Sequence, residues 1–157
     1  MRTIHWLYLV TILLFVASVG LFVAGASASA RIAGEVSDVA TTRQIMDGIV
    51  MPAAAVVFGS VATIVTKEAT EERQPRTAEE WAFVGANAAA IIESGNLLMM
   101  GSRVVDKDDW ITMTRAMMDA GGVALKATEA RDVEGLFSSG EAINEACDAC
   151  HMKYQQQ

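Results

Sequence analysis

Cysteine and histidine each occur only twice in the 157 residues. Both cysteines fall in one pentapeptide, Cys147-Asp148-Ala149-Cys150-His151, so the rest of the chain can build no disulfide framework. The other histidine is His5, inside an apolar N-terminal stretch, which leaves a zinc site of the usual four Cys/His ligands short of a donor. Basic residues are scarce too: 12 Lys and Arg stand against 19 Asp and Glu, a formal charge of −7. Nucleic-acid binding is excluded on that balance, because it relies on basic side chains to neutralise phosphates. No segment alternates apolar and polar residues as a half-buried strand does. No Ser-His-Asp set, carboxylate dyad or glycine-rich phosphate loop can be assembled, so bond-making catalysis is not expected and the chain reads as a non-enzyme.

What is present is the pentapeptide itself, and C-x-x-C-H is the spacing of covalent c-type haem attachment. On a helix, residues three and four apart share a face, so Cys147, Cys150 and His151 converge on one spot. The thiols can then bond the two vinyl groups of a single haem c, while the imidazole takes an axial position on its iron. Two other readings stay open. A thioredoxin-like dithiol expects C-x-x-C at a helix start in a βαβ setting, whereas this pair lies late in a helical stretch. A plain Cys147–Cys150 disulfide would make the chain a membrane-tethered helical interaction module.

Residues 7–24, LYLVTILLFVASVGLFVA, carry no charge, follow a stretch holding Arg2 and precede Gly25-Ala26-Ser27-Ala28-Ser29-Ala30. Residues 1–30 therefore read as an export signal, with cleavage expected before Arg31. The run is close to the length that spans a bilayer, so a membrane tether through residues 7–24 is the alternative to cleavage. Either way residues 31–157 form one domain, expected in the periplasm, where c-type haem is joined to reduced thiols after translocation. Losing Arg2 would make that domain more acidic still, which suits redox partner proteins with a positive docking patch.

Beyond Arg31 the apolar spacing predicts four helices. The first runs from about Ser37 to Thr66, with Met46, Ile49, Val50, Ala53, Val57, Val61 and Ile64 on a broad face and a kink near Ile49 imposed by Pro52. Lys67 to Arg76, with Pro75, reads as a loop. Thr77-Ala78-Glu79-Glu80 is a capping box opening the second helix, which carries Trp81, Val84, Ala88, Ile91, Ile92 and Leu98 and closes near Met100. The third starts at Asp106 or Asp108 and ends near Arg131, with Trp110, Met113, Met117, Ala120, Ala124 and Ala127 in register. The fourth, from about Val133, aligns Leu136, Phe137, Gly140, Ile143, Cys147, Cys150, His151 and Tyr154. The expected fold is all-α, an antiparallel four-helix bundle with haem c on its C-terminal helix.

A four-helix chain with C-x-x-C-H in its last helix resembles the class II c-type cytochromes, the family of cytochrome c′ and its low-spin relatives. The resemblance covers about Ser37 to Tyr154 and is anchored by Cys147 to His151 followed by Tyr154. Softer signals are Arg43-Gln44-Ile45-Met46, Ile49-Val50-Met51-Pro52-Ala53-Ala54, Glu79-Glu80-Trp81 and Asn96-Leu97-Leu98-Met99-Met100. It implies a monohaem carrier of single electrons, with Met46 as the second axial ligand opposite His151 and a homodimer as a common assembly. Thioether is a soft donor suited to haem iron. Met51, five residues on, is turned well away from Met46 on a regular helix and needs the Pro52 kink to face inward. Trp81, Trp110 and Phe58 are expected as core or haem-packing aromatics, and Arg43 as a propionate partner or a solvated surface residue. One departure counts against the alternative, a five-coordinate protein binding NO or CO: many cytochromes c′ place a basic residue directly after the aromatic, and here Gln155 follows Tyr154.

Overall fold

The computed structural model describes residues 5–19 and 37–155. Two compact units divide the chain, Met1–Ser37 and Asp38–Gln157. In the first, residues 5–19 form helix α1, whose Trp6, Leu9, Leu13 and Phe15 are exposed. Among the described residues no helix is long and apolar enough to cross a membrane. The cleavage site expected before Arg31 and the end of the apolar run at residues 20–24 lie outside the described residues.

The second unit is mostly helical: α2 (Thr42–Ile45), a π-helical turn (Met46–Val50), α3 (Met51–Ser60), α4 (Ala78–Leu98), α5 (Asp109–Ala130) and α6 (Val133–Tyr154). Strands β1 (Ala62–Val65) and β2 (Thr70–Arg73) form an antiparallel hairpin between α3 and α4, with Ala62 opposite Arg73 and Val65 opposite Thr70. This corrects the expected first helix, which stops at Ser60 and not Thr66, and the expected Lys67–Arg76 loop. The cause is local. Val61-Ala62-Thr63-Ile64-Val65-Thr66 is rich in β-branched residues, which are stiff in a helix and favoured in strands. Thr66 closes the hairpin, its Oγ1 accepting from the backbone N–H of Ala69 at 3.0 Å and of Glu68 at 3.3 Å.

Helix starts follow their capping chemistry. Thr41 and Gln44 form a reciprocal capping box at α2, as Thr77 and Glu80 do at α4. The α5 to α6 connection is short because Arg131 takes a left-handed conformation (φ 53°) and Asp132 then caps α6 by accepting from the Gly135 N–H at 3.0 Å. That tight reversal folds α6 back along α5.

Helices α4 and α5 approach closely because small residues face one another. Ala88, Ile91 and Ala124 are fully buried, and a Cβ placed on Gly121 would come within 3.1 Å of Ile92 and 3.3 Å of Ile91. From α6 the core takes Leu136, Ser139 and Ile143, and from the first helical stretch Ile45, Val50, Ala53, Ala54 and Val57. Phe137, expected inward, is 65% exposed, and Ser139 is buried in its stead with its hydroxyl bonded to the Leu136 carbonyl at 2.6 Å. Ile49 is likewise partly exposed, displaced by the π turn.

The segment leading into α2 is fastened to the end of α4. Gly101 has φ +57°, and a side chain there would also strike the Asp38 carboxylate, which accepts from the Ser102 N–H at 2.7 Å and hydroxyl at 2.6 Å. Arg103 is buried and donates to the carbonyls of Ala40 (2.8 Å) and Leu97 (3.0 Å). These contacts anchor the chain just ahead of α2, which leads into the π turn that begins at Met46.

Candidate functional site

Cys147, Cys150 and His151 lie on unbroken helix in α6, and all three are half-buried. They line one cavity of about 210 Å³. Its other wall comes from the π turn and α3, through Met46, Val50, Met51, Ala54 and Phe58, and its floor from Leu98, Met113 and Met117. A second cavity of about 540 Å³ shares Met46, Met51, Cys150 and His151 with the first and opens past Thr42, Arg43 and Tyr154. The larger one alone falls within the roughly 300–1,000 Å³ of ligand pockets. So the four residues read from the sequence, Met46, Cys147, Cys150 and His151, meet at one place although about a hundred positions of chain separate the first from the rest.

The π turn decides what faces that place. Pro52 has no N–H to return to the carbonyl one turn back, so the α-helical ladder cannot run through it. The Met51 N–H instead reaches the Met46 carbonyl, a five-residue step that lessens the rotation between the two residues. Met51 therefore opens on the same cavities as Met46, the inward turn that the sequence made conditional on a break at Pro52. The dipeptide Met51-Pro52 was the signal. Phe58 is 43% exposed at the cavity edge and is not core, whereas Trp81 and Trp110 are buried.

Both cysteines are free thiols. Burial pushes the Cys147 thiol above its ordinary value, with the Asp148 carboxylate and Cys150 adding to the effect, and burial does the same at Cys150. Catalytic dithiols need the opposite shift, which exposes a thiolate nucleophile. No family model, curated protein or solved structure matches the chain.

Among the described residues no group of three or more His, Cys, Asp and Glu is placed to hold a bare metal ion. A haem asks for something different: two thiols and one imidazole on a single wall, facing an apolar slot. The cavity supplies both, so the residues fit that group. Arg43, at the rim of the larger cavity, is exposed and 3.4 Å from Asp47.

Just beyond His151 the end of α6 is pinned to the start of α5. The Tyr154 hydroxyl donates to Asp106, its ring meets Trp110 edge-on at 5.0 Å, and Lys153 pairs with Asp109. Asp106 also accepts from the backbone N–H of Asp108 (3.1 Å) and Trp110 (3.0 Å), and so caps α5. The Tyr154 hydroxyl first, then the Trp110 N–H, hold the Asp106 carboxyl below its ordinary value of 3.8. Because its folded pKa is depressed, Asp106 stabilises the fold above its unfolded pKa, and that stability is lost as pH falls through the folded value. Asp106→Asn is therefore expected to lower the melting temperature at pH 7, where the ionised carboxylate contributes fully, and to converge with the unsubstituted protein as pH falls below about 4. Thermal unfolding of both proteins across that range checks it, and parallel curves would remove Asp106 from the latch.

Proposed function

We propose that the chain is an exported monohaem c-type cytochrome that carries single electrons, built as an antiparallel four-helix bundle with haem c on its last helix. The observation that carries this reading is the convergence of Cys147, Cys150 and His151 on one wall of a cavity whose other wall presents Met46. When bound, haem supplies a one-electron iron couple whose potential depends on axial ligands, burial and nearby hydrogen bonds. Cys147 and Cys150 would tether it through their sulfurs. His151 would offer a ring nitrogen and Met46 a thioether sulfur to its iron. Val50, Ala54, Leu98 and Met117 keep water from the slot, and the Tyr154–Asp106 contact holds the helix end that bears His151. A closed shell of this kind needs little rearrangement as charge comes and goes, which suits electron transfer. The acidic surface suits a redox partner with a basic docking face, and the apolar N-terminus suits delivery to the periplasm by a cleaved signal or a tether.

The deciding experiment is the visible spectrum of the reduced full chain, expressed with c-type haem maturation, before and after carbon monoxide. A sharp low-spin spectrum unmoved by the gas is the expected result. A broad high-spin spectrum that shifts would overturn the closed shell and make gas binding the function, and a chain without covalent haem would overturn the cytochrome reading itself.

A further inference from the structure

The cavities that His151 lines are faced by two methionines, not one. On a regular α-helix Met46 and Met51 would differ by about 140° of rotation, at 100° per residue. The π turn reduces that offset, bonding the Met51 N–H to the Met46 carbonyl, and both side chains line both cavities beside Cys150 and His151. Met51 is 58% exposed, an unbranched apolar side chain left at the mouth of a slot. Met46 is half-buried and packs against the core. A π turn is a rare element, frequent at functional sites, and here it brings the two residues toward one face.

We infer that Met51 is a second thioether donor to the position opposite His151, able to take the site when Met46 is absent or displaced. This rests on the haem reading above. The chemistry is plausible at low cost, because methionine has three rotatable side-chain bonds and a soft sulfur, and neither residue is locked by a hydrogen bond. Two donors on one turn give the chain a sixth ligand that survives the loss of either.

Leucine variants test it, since Met to Leu conserves volume and spares the packing of Met46. Met46→Leu, Met51→Leu and the double variant are expressed with c-type maturation. Each is examined for covalent haem by mass, for the ferric thioether-to-iron charge-transfer band, and for carbon monoxide binding when reduced. Expected are covalent haem in all, a retained thioether band and no gas binding in either single variant, and loss of the band with gas binding only in the double. Gas binding by Met46→Leu to the same extent as the double overturns the inference while leaving the cytochrome reading intact. A wild-type chain that already binds the gas, or one without covalent haem, overturns the inference together with the reading beneath it.

Discussion

A Cys147→Ala/Cys150→Ala double variant is expected to retain its helices and carry no covalently bound haem. Both residues lie on the outer part of a helix wall, half-buried at the cavity edge, and α6 is anchored elsewhere by the buried Leu136, Ser139 and Ile143. Alanine is also the best helix former, so the exchange costs α6 nothing in propensity. What disappears is both sulfurs, and with them every covalent link open to this chain, since it has no other cysteine. His151 and the apolar slot remain, so residual haem would be extractable by acid and organic solvent. Mass spectrometry of the denatured protein and helix content by circular dichroism check both halves. Each single variant should keep one thioether link. Covalent haem persisting in the double variant would refute the attachment.

Ile91→Ala is expected to cost about 2–5 kcal/mol of stability, the range for removing a buried isoleucine side chain and leaving a cavity. The upper part of that range applies here, because Ile91 is fully buried, Gly121 faces it across the α4/α5 contact, and Ala88 and Ala124, likewise fully buried on the two helices, are small. Such short side chains have no atoms to swing into the hole, and two helix backbones cannot close it without disturbing their whole contact. The gain in helix propensity, a few tenths of a kcal/mol, does not offset this. Urea unfolding should show a lower midpoint with an unchanged slope, the mark of lost stability rather than altered compactness. A loss under about 1 kcal/mol would mean that the α4/α5 seam relaxes where its geometry implies rigidity.

The comparison between what the residues imply and what the fold does is clearest at three places. The capping box at Thr77 and the start of α6 at Val133 were legible, because a cap is a contract between residues three or four apart. The like box at Thr41 went unread, and the first helix, expected from about Ser37, starts at Thr42. The hairpin was not foreseen because Val57, Val61 and Ile64 satisfy a helical period as well as a strand reading, and short apolar runs are ambiguous in that way. At Phe137 and Ser139 the helical stripe was broad enough to be read a residue or two off. The burial of Arg103 left no local trace, since its acceptors, Ala40 and Leu97, lie on separate segments.

The sequence by itself determined the chemistry: two thiols and an imidazole on one helical face, a break at Pro52, four long helical stretches and an acidic, apolar-headed chain. These are all consequences of spacing within a few residues, which backbone geometry converts directly into position. The tertiary structure alone decided which wall stands opposite His151 and that Met51 shares it with Met46. It also brought Asp106 to Tyr154 to hold the helix end. Those pairings join residues distant in the chain, and only the packing of whole helices, through small residues on α4 and α5 and a π turn beside Pro52, sets the distances between them.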